Sequence, residues 1–410
     1  MRPEADLDLR SRLARLDPSA GAQVTKPVQR TQAELSAAME ALGLQCREGG
    51  AGPVWTREFQ SNQKPPTEQP SELAALMTGQ APGDLAWDEV LFLDTETTGL
   101  AGGTGTLAFL VGLGWWENDR FHGRLDFLPG PGAEPALLHS LVDLASRFRV
   151  VITYNGNCFD LPLLRTRGIL NRRRDILTEL VSWDLLPAAR RLWGRRLPNV
   201  RQPTVEQFIA DIPRDDTDIP GAQIPKAWTD FVQHGECGFL DRVLDHNQWD
   251  VEGMAAILSR VAAGAARLNA GPHSLSTKIP WQDAWSLARL CESQRRTEES
   301  WQWAQHSLSA APTGKIQRRQ KLGPPEKYFA DTIRLLKRSK DWSAVEDVIQ
   351  TALLHGPNLP WLHREAAILY EHRMPDIPRA LGHARNAADE HRFNRLQRKL
   401  SQIEVSPCNM

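Results

Sequence analysis

The run Glu89-Val90-Leu91-Phe92-Leu93-Asp94-Thr95-Glu96 constrains this chain more than any other stretch. A short apolar run that stops abruptly at acids and turn residues reads as an interior β-strand. Asp94 and Glu96 stand two apart, and residues i and i+2 of a strand share a face. Two neighbouring carboxylates therefore sit at the strand's C-terminal end, where open α/β sheets bind ligands. They repel each other and add nothing to a core. A divalent cation with a preference for oxygen neutralises them. A lone D-x-E also occurs on solvated strand ends, so other parts of the chain must agree with it. Thr97, Thr98 and Gly99 supply a turn that lets a substrate strand approach the backbone.

Residues 106–116 and 120–128 read as two further strands with a hairpin turn at Glu117-Asn118-Asp119, and 149–154 as a fourth. Helical patterns cover 134–147, 159–168, 183–193 and 238–264. A meander followed by helices alternating with a strand makes an α/β domain with a mixed sheet. Ahead of it, 5–16 and 31–44 read as short amphipathic helices, and 48–86, rich in Gly, Pro, Gln and Ser, reads as a loop or linker. After about 275 the chain is helical. Ala344 and Ala380, and Ala352 and Ala388, recur at a spacing near the ~34 residues of a helix–turn–helix repeat. The alternative there is a plain helical bundle. The expected organisation is an N-terminal helical and linker region (1–85), the α/β domain (86–265) and an all-α helical-repeat domain (275–402).

Two more elements bear on the acids. In YNGNCFDLPLL, a strand leads through Asn155 and Gly156 to Asp160 at a helix start, where it serves equally as an N-cap. In HNQWDVEGM, His246 and Asp250 are four apart on a helix and share one face. Each of these, taken alone, has a structural reading.

Taken together and in this order, D-x-E, N-x-x-x-F-D and a ring-bearing residue four before an Asp resemble the DEDD superfamily of 3′–5′ exonucleases. In that superfamily the tyrosine subgroup has Tyr-x-x-x-Asp, and the histidine subgroup places His one residue farther from its Asp. Here His246 stands at the tyrosine spacing. WDLLPAARRLWGRRLPN, DDTDIPGAQIPKAWTDF and HNQWD resemble the YprB ribonuclease H-like domain family, with HN-x-x-D as the last motif, over roughly 86–265. The resemblance implies a ribonuclease H-like mixed sheet flanked by helices and a metal-dependent 3′–5′ exonuclease acting on single-stranded DNA or RNA, or on 3′ ends. It also implies that Asp94, Glu96 and Asp250 ligate two Mg²⁺ or Mn²⁺ ions, with Asp94 bridging. Asp160 completes the second site, and His246 orients or deprotonates the attacking water. Some members of that family also carry a helical repeat tail.

Such chemistry needs this layout. Two divalent ions about 3.5–4 Å apart clamp the attacking and leaving oxygens of a phosphodiester, and four carboxylates balance their charge. Imidazole takes a proton from water at physiological pH. Phosphate holding needs cations. Ten arginines lie between Arg165 and Arg201 against three acids. Arg165, Arg190, Arg191, Arg195 and Arg196 are read as nucleic-acid contacts together with Thr97, Thr98 and Asn155. Trp183 and Trp193 within this stretch read as packing residues rather than base platforms, and Asp184 as a helix start. GLAGGTG at 99–105 lacks the lysine of a phosphate-binding loop, and KIQRRQK at 315–321 reads as an exposed linker.

The formal net charge of -1 advertises no global basic field. Five scattered cysteines form no CxxC pair, which fits a reducing cytoplasmic location and argues against a zinc or disulfide framework. No long apolar run suggests a membrane span. The competing reading is a catalytically weak nucleic-acid-binding scaffold whose helical repeats recruit a protein partner.

Overall fold

A computed structural model describes residues 31–73, 76–77, 82–99, 105–214, 218–272, 279–311, 326–355 and 359–404. The helix expected at 5–16, nearly all of the glycine-rich turn after Gly99, and the basic run at 315–321 lie outside the described residues. Two compact units interleave along the chain. One comprises the described residues of 1–65, 86–183 and 214–255, the other those of 66–85, 184–213 and 256–410. The sequence, by contrast, reads as contiguous blocks.

The first unit opens with α1 (Gln32–Ala41), closed by a capping box between Thr31 and Glu34. The stretch read as linker instead begins a sheet: β1 (Gln45–Gly49) and β2 (Gly52–Ser61) form an antiparallel hairpin. Its Gly and Gln content is that of a tight turn and a solvated edge strand. β2 nonetheless buries Val54, Trp55 and Thr56. Next come β3 (Val90–Thr97), β4 (Ala108–Glu117), β5 (Arg120–Phe127), α2 (Glu134–Ala145), β6 (Val150–Thr153), α3 (Asp160–Leu170) and β7 (Val181–Asp184). The last strand was not legible in the sequence. The seven strands lie in the order β1-β2-β5-β4-β3-β6-β7. β3 is an interior strand, antiparallel to β4 and parallel to β6. Val90 through Leu93 are fully buried, as expected of a strand covered on both faces. Asn118 and Asp119, with φ of 51° and 59°, make the two-residue β4–β5 turn that favours these residue types.

α4 (Leu185–Trp193) belongs to the second unit, where it buries Leu192 and Trp193. α5 (Ile224–His234) lies in the first, its Trp228 stacked on Phe109 with centroids 5.6 Å apart. The boundary between units falls within α6 (Leu240–Ala270). The second unit continues as α7 (Trp281–Ser293), α8 (Thr297–Ala310), α9 (Glu326–Ser339), α10 (Trp342–His355), α11 (Pro360–His372), α12 (Ile377–Asn386) and α13 (Glu390–Glu404). Consecutive helices pair as α7–α8, α9–α10 and α11–α12. The pairs restart at Glu326 and Pro360, which is the spacing of a helix–turn–helix repeat. Ala344, Ala352 and Ala380 are buried in it, while Ala388 is exposed in a turn.

Candidate active site

Four segments of the first unit meet at the C-terminal end of β3. β6 pairs with β3 only as far as Phe92↔Ile152, so the flank of β3 beyond that point is open. Asp160 faces it as the first residue of α3, with Phe159 rather than Asp160 as the N-cap. The Thr95 hydroxyl donates to Asp160 Oδ1 at 2.5 Å. The turn that brings α3 there needs Asn155 at φ 66° and a glycine at 156, where a Cβ would fall 2.5 Å from Thr153. On the other side the β3–β4 register slips between Glu96 and Thr97. Such a bulge re-aims the side chains around it.

α6 supplies the last wall. It packs closely on β4 because residues 112 and 114 are glycines. A Cβ at 112 would fall 2.1 Å from Asn247 Oδ1, and one at 114 would fall 2.6 Å from Val251. Asn247, fully buried, donates from Nδ2 to Asp94 Oδ2 at 2.7 Å. One turn of helix then carries His246 and Asp250 into the same cleft, with His246 Nε2 3.3 Å from Asp250 Oδ2 and 3.7 Å from Glu96 Oε1.

The resulting cleft, about 700 Å³, is lined by Asp94, Glu96, Asp160, His246 and Asp250, and also by Thr97, Asn155 and Phe159. Burial pushes Asp94 well above the ordinary carboxylate range, and the charges of Asp250, Asp160 and Glu96 push it further. Glu96 is raised for like reasons, burial first and then Asp250 and Asp160. The positive charge of Arg214, which also pairs with Asp250, opposes both rises. One guanidinium leaves most of this negative charge uncompensated, so the donor set fits divalent cations that prefer oxygen. Glu96, His246 and Asp250 each bring one ligand atom within 4.8 Å of the others, a grouping that can hold a metal ion. Asp94 and Asp160 share the cleft and its field while bonded to Asn247 and Thr95.

Sequence reasoning missed Thr95, Asn247, Arg214 and Asp218. Asn247 carried a signal as the second residue of the HN-x-x-D motif, and Asp218 as part of the run DDTDIPGAQIPKAWTDF. Asp218 Oδ1 lies 2.5 Å from His246 Nδ1, and Asp218 Oδ2 lies 3.2 Å from Arg214. Burial pushes the Asp218 carboxyl up, but the bonds from His246 and Arg214 outweigh it and hold it below its usual range.

The expected nucleic-acid contacts divide. Thr97 lines the cleft and donates to Gly99 O at 2.9 Å, whereas Thr98 Oγ1 accepts from Leu107 N at 3.0 Å and pins the β3–β4 turn. Arg165 is exposed on α3. Arg190, Arg191, Arg195 and Arg196 belong to the second unit. There Arg191 bonds Met77 O at 3.3 Å, Arg195 bonds Ser286 Oγ at 3.5 Å and Arg196 pairs with Asp283 at 3.2 Å. Internal packing accounts for those three. Trp183 and Trp193 are buried, and Asp184 caps α4 by accepting from Leu186 N at 3.0 Å. Among the described residues, no helix is long and apolar enough to cross a membrane.

Comparison with known proteins agrees with this geometry. Residues 91–262 match the family model described as the RNase_H superfamily. A segment of 217 residues is 34% identical to the uncharacterized protein YprB of Bacillus subtilis (strain 168), covering 52% of this chain and 50% of the relative. The chain thus spans about half the length of that relative. The family match spans residues 91–262 and does not extend into the later helices. The mixed sheet and its acid-ended interior strand agree with the match of residues 91–262 to the RNase_H superfamily model.

Proposed function

We propose that this chain is a metal-dependent 3′–5′ exonuclease that hydrolyses phosphodiester bonds of single-stranded DNA or RNA. The observation that supports it is the convergence of Asp94, Glu96, Asp160 and Asp250 on one cleft, where burial and mutual repulsion drive Asp94 and Glu96 far up. Such a cluster is costly to a fold unless cations balance it. Mg²⁺ or Mn²⁺, when bound, supplies charge stabilisation to the attacking and leaving oxygens.

The chain's own residues then have distinct tasks. Asp94, Glu96, Asp160 and Asp250 hold the ions. Asn247 and Thr95 orient two of those carboxylates. His246 presents Nε2 to the cleft, where it positions the attacking water and takes its proton. Thr97 and Asn155 line the cleft, Arg165 is exposed on the helix that Asp160 begins, and these three are assigned to contact the sugar–phosphate strand. They read phosphate rather than base, so the reading covers both DNA and RNA.

The test is to incubate the full-length protein with Mn²⁺ or Mg²⁺ and 5′-labelled DNA and RNA oligomers. Stepwise shortening from the 3′ end with release of nucleoside 5′-monophosphates is expected, and Asp94→Ala is expected to be inert. Intact oligomers of several sequences, in a protein that also binds neither ion by calorimetry, would end this reading.

A further inference from the structure

We infer that Asp218 is a positioning residue for His246, fixing which ring nitrogen faces the cleft. The inference rests on the exonuclease reading above. The imidazole is held from both sides. Nδ1 lies 2.5 Å from Asp218 Oδ1, whereas Nε2 points inward at Asp250 Oδ2 and Glu96 Oε1, 3.3 and 3.7 Å away. A carboxylate can only accept, so Nδ1 carries a hydrogen for Asp218, and with cations held by Asp250 and Glu96 Nε2 would present its lone pair to the cleft. Asp218 is itself tethered, because its other oxygen lies 3.2 Å from Arg214, which also pairs with Asp250. Asp218, His246 and Arg214 are 19%, 14% and 12% exposed at their side chains, so water competes weakly for these bonds.

The backbone separates the two partners completely. His246 lies on α6, whereas Asp218 lies in the irregular segment before α5, 28 residues earlier. On α6 itself Asp250 Oδ2 lies 3.3 Å from Nε2, and the carboxylate from the distant segment is the closer partner, 2.5 Å from Nδ1. An outer carboxylate on a working imidazole sets both ring orientation and basicity. In the hydrolytic step one proton of the attacking water passes to Nε2 as its oxygen bonds phosphorus. The bond from phosphorus to the leaving 3′-oxygen breaks, and that oxygen is protonated from solvent. Asp218 keeps accepting from Nδ1–H and stabilises the imidazolium without taking the proton.

The experiment uses full-length protein with ¹⁵N-labelled histidine, loaded with diamagnetic Mg²⁺ at pH 8, with His246→Ala to assign the ring signals. The expected wild-type spectrum has hydrogen on Nδ1 and a bare Nε2. Asp218→Ala is expected to move the hydrogen to Nε2. In oligonucleotide assays Asp218→Ala should lower kcat about 10²-fold, with KM and Mn²⁺ affinity within about twofold of wild type. Asp218→Asn, whose amide oxygen still accepts, should recover about tenfold of that loss. The double variant Asp218→Ala/His246→Ala should be no slower than His246→Ala alone. An unchanged tautomer in Asp218→Ala, or losses that simply add in the double variant, overturns the assignment. A wild-type protein with no nuclease activity overturns the exonuclease reading instead, and the ring spectra still decide Asp218.

Discussion

Asn247 Nδ2 donates to Asp94 Oδ2 at 2.7 Å across 153 residues of sequence, and the contact exists because residue 112, opposite Asp94 on β4, is a glycine. A Cβ there would fall 2.1 Å from Asn247 Oδ1 and 2.8 Å from Val251. Gly112→Ala therefore has to push α6 off the sheet or turn Asn247 away. The expected cost is about 1–3 kcal/mol by overpacking, with activity falling at least about tenfold because Asp94 loses its orienting bond. Thermal melting and the oligonucleotide assay read the two effects. A variant with wild-type stability and activity shows that α6 does not need this close approach.

Asp94→Asn separates electrostatic cost from function. The buried charge at this position is opposed by desolvation and by Asp250, Asp160 and Glu96. Removing it is expected to raise the Tm of the metal-free protein at pH 8 while abolishing cleavage. A divalent ion that binds only the folded chain adds about 2.7 kcal/mol at a hundredfold excess over Kd. Mn²⁺ should thus raise the wild-type Tm by several degrees and the variant's Tm far less. Equal shifts in both proteins would place the ion elsewhere.

Two arginines on one helix are expected to behave oppositely. Arg165 is exposed, and Arg165→Ala should raise KM, leave kcat and Tm unchanged, and lower the slope of log affinity against log salt by about one. Arg167 forms a bidentate pair with Glu134, both bonds 2.5 Å, with side chains only 12% and 7% exposed. Glu134→Ala removes the carboxylate from this buried ion pair, at an expected cost of about 3–5 kcal/mol. Urea melts distinguish the two. Unchanged binding in Arg165→Ala removes Arg165 from the substrate path.

Asp283 gives the second unit a pH dependence. Burial raises its carboxyl to about 6 from the usual 3.8, with Arg196 and Arg267 only partly offsetting the shift. The folded state then binds this proton more tightly than the unfolded chain. The stability it contributes is fully present below about 3.8 and is lost as pH rises through about 6. Asp283→Asn has no such proton to lose and should be more stable than wild type at pH 8, by up to about 3 kcal/mol, with the gain fading toward pH 4. A gain that is the same at both pH values means that the ionisation is not its source.

Much of the site was legible because its chemistry is written in local spacing. Asp94 and Glu96 follow an apolar run that only an interior strand explains, and the i, i+4 spacing of His246 and Asp250 puts both on one helix face. Strand β4 and its hairpin to β5 were visible in the Asn118-Asp119 turn. The hairpin of β1 and β2 was hidden because its solvated edge has the composition of a loop, and β7 because four residues carry too little periodicity. The arginine-rich stretch misled for a related reason. Density of charge along the chain says nothing about partners such as Glu134 and Asp283, which arrive from other elements.

The sequence by itself determined most of the elements, β1, β2 and β7 excepted, and the residue types that could do chemistry, since hydrophobic period and turn residues act over a few positions. Tertiary structure alone decided which of those residues meet. Asp218 reaches His246, Thr95 reaches Asp160 and Asn247 reaches Asp94 through contacts that follow from sheet register and the closeness of α6 to β4. Their worth comes from shared burial, which strengthens every charge interaction in the cleft and exists only once the chain has closed around it.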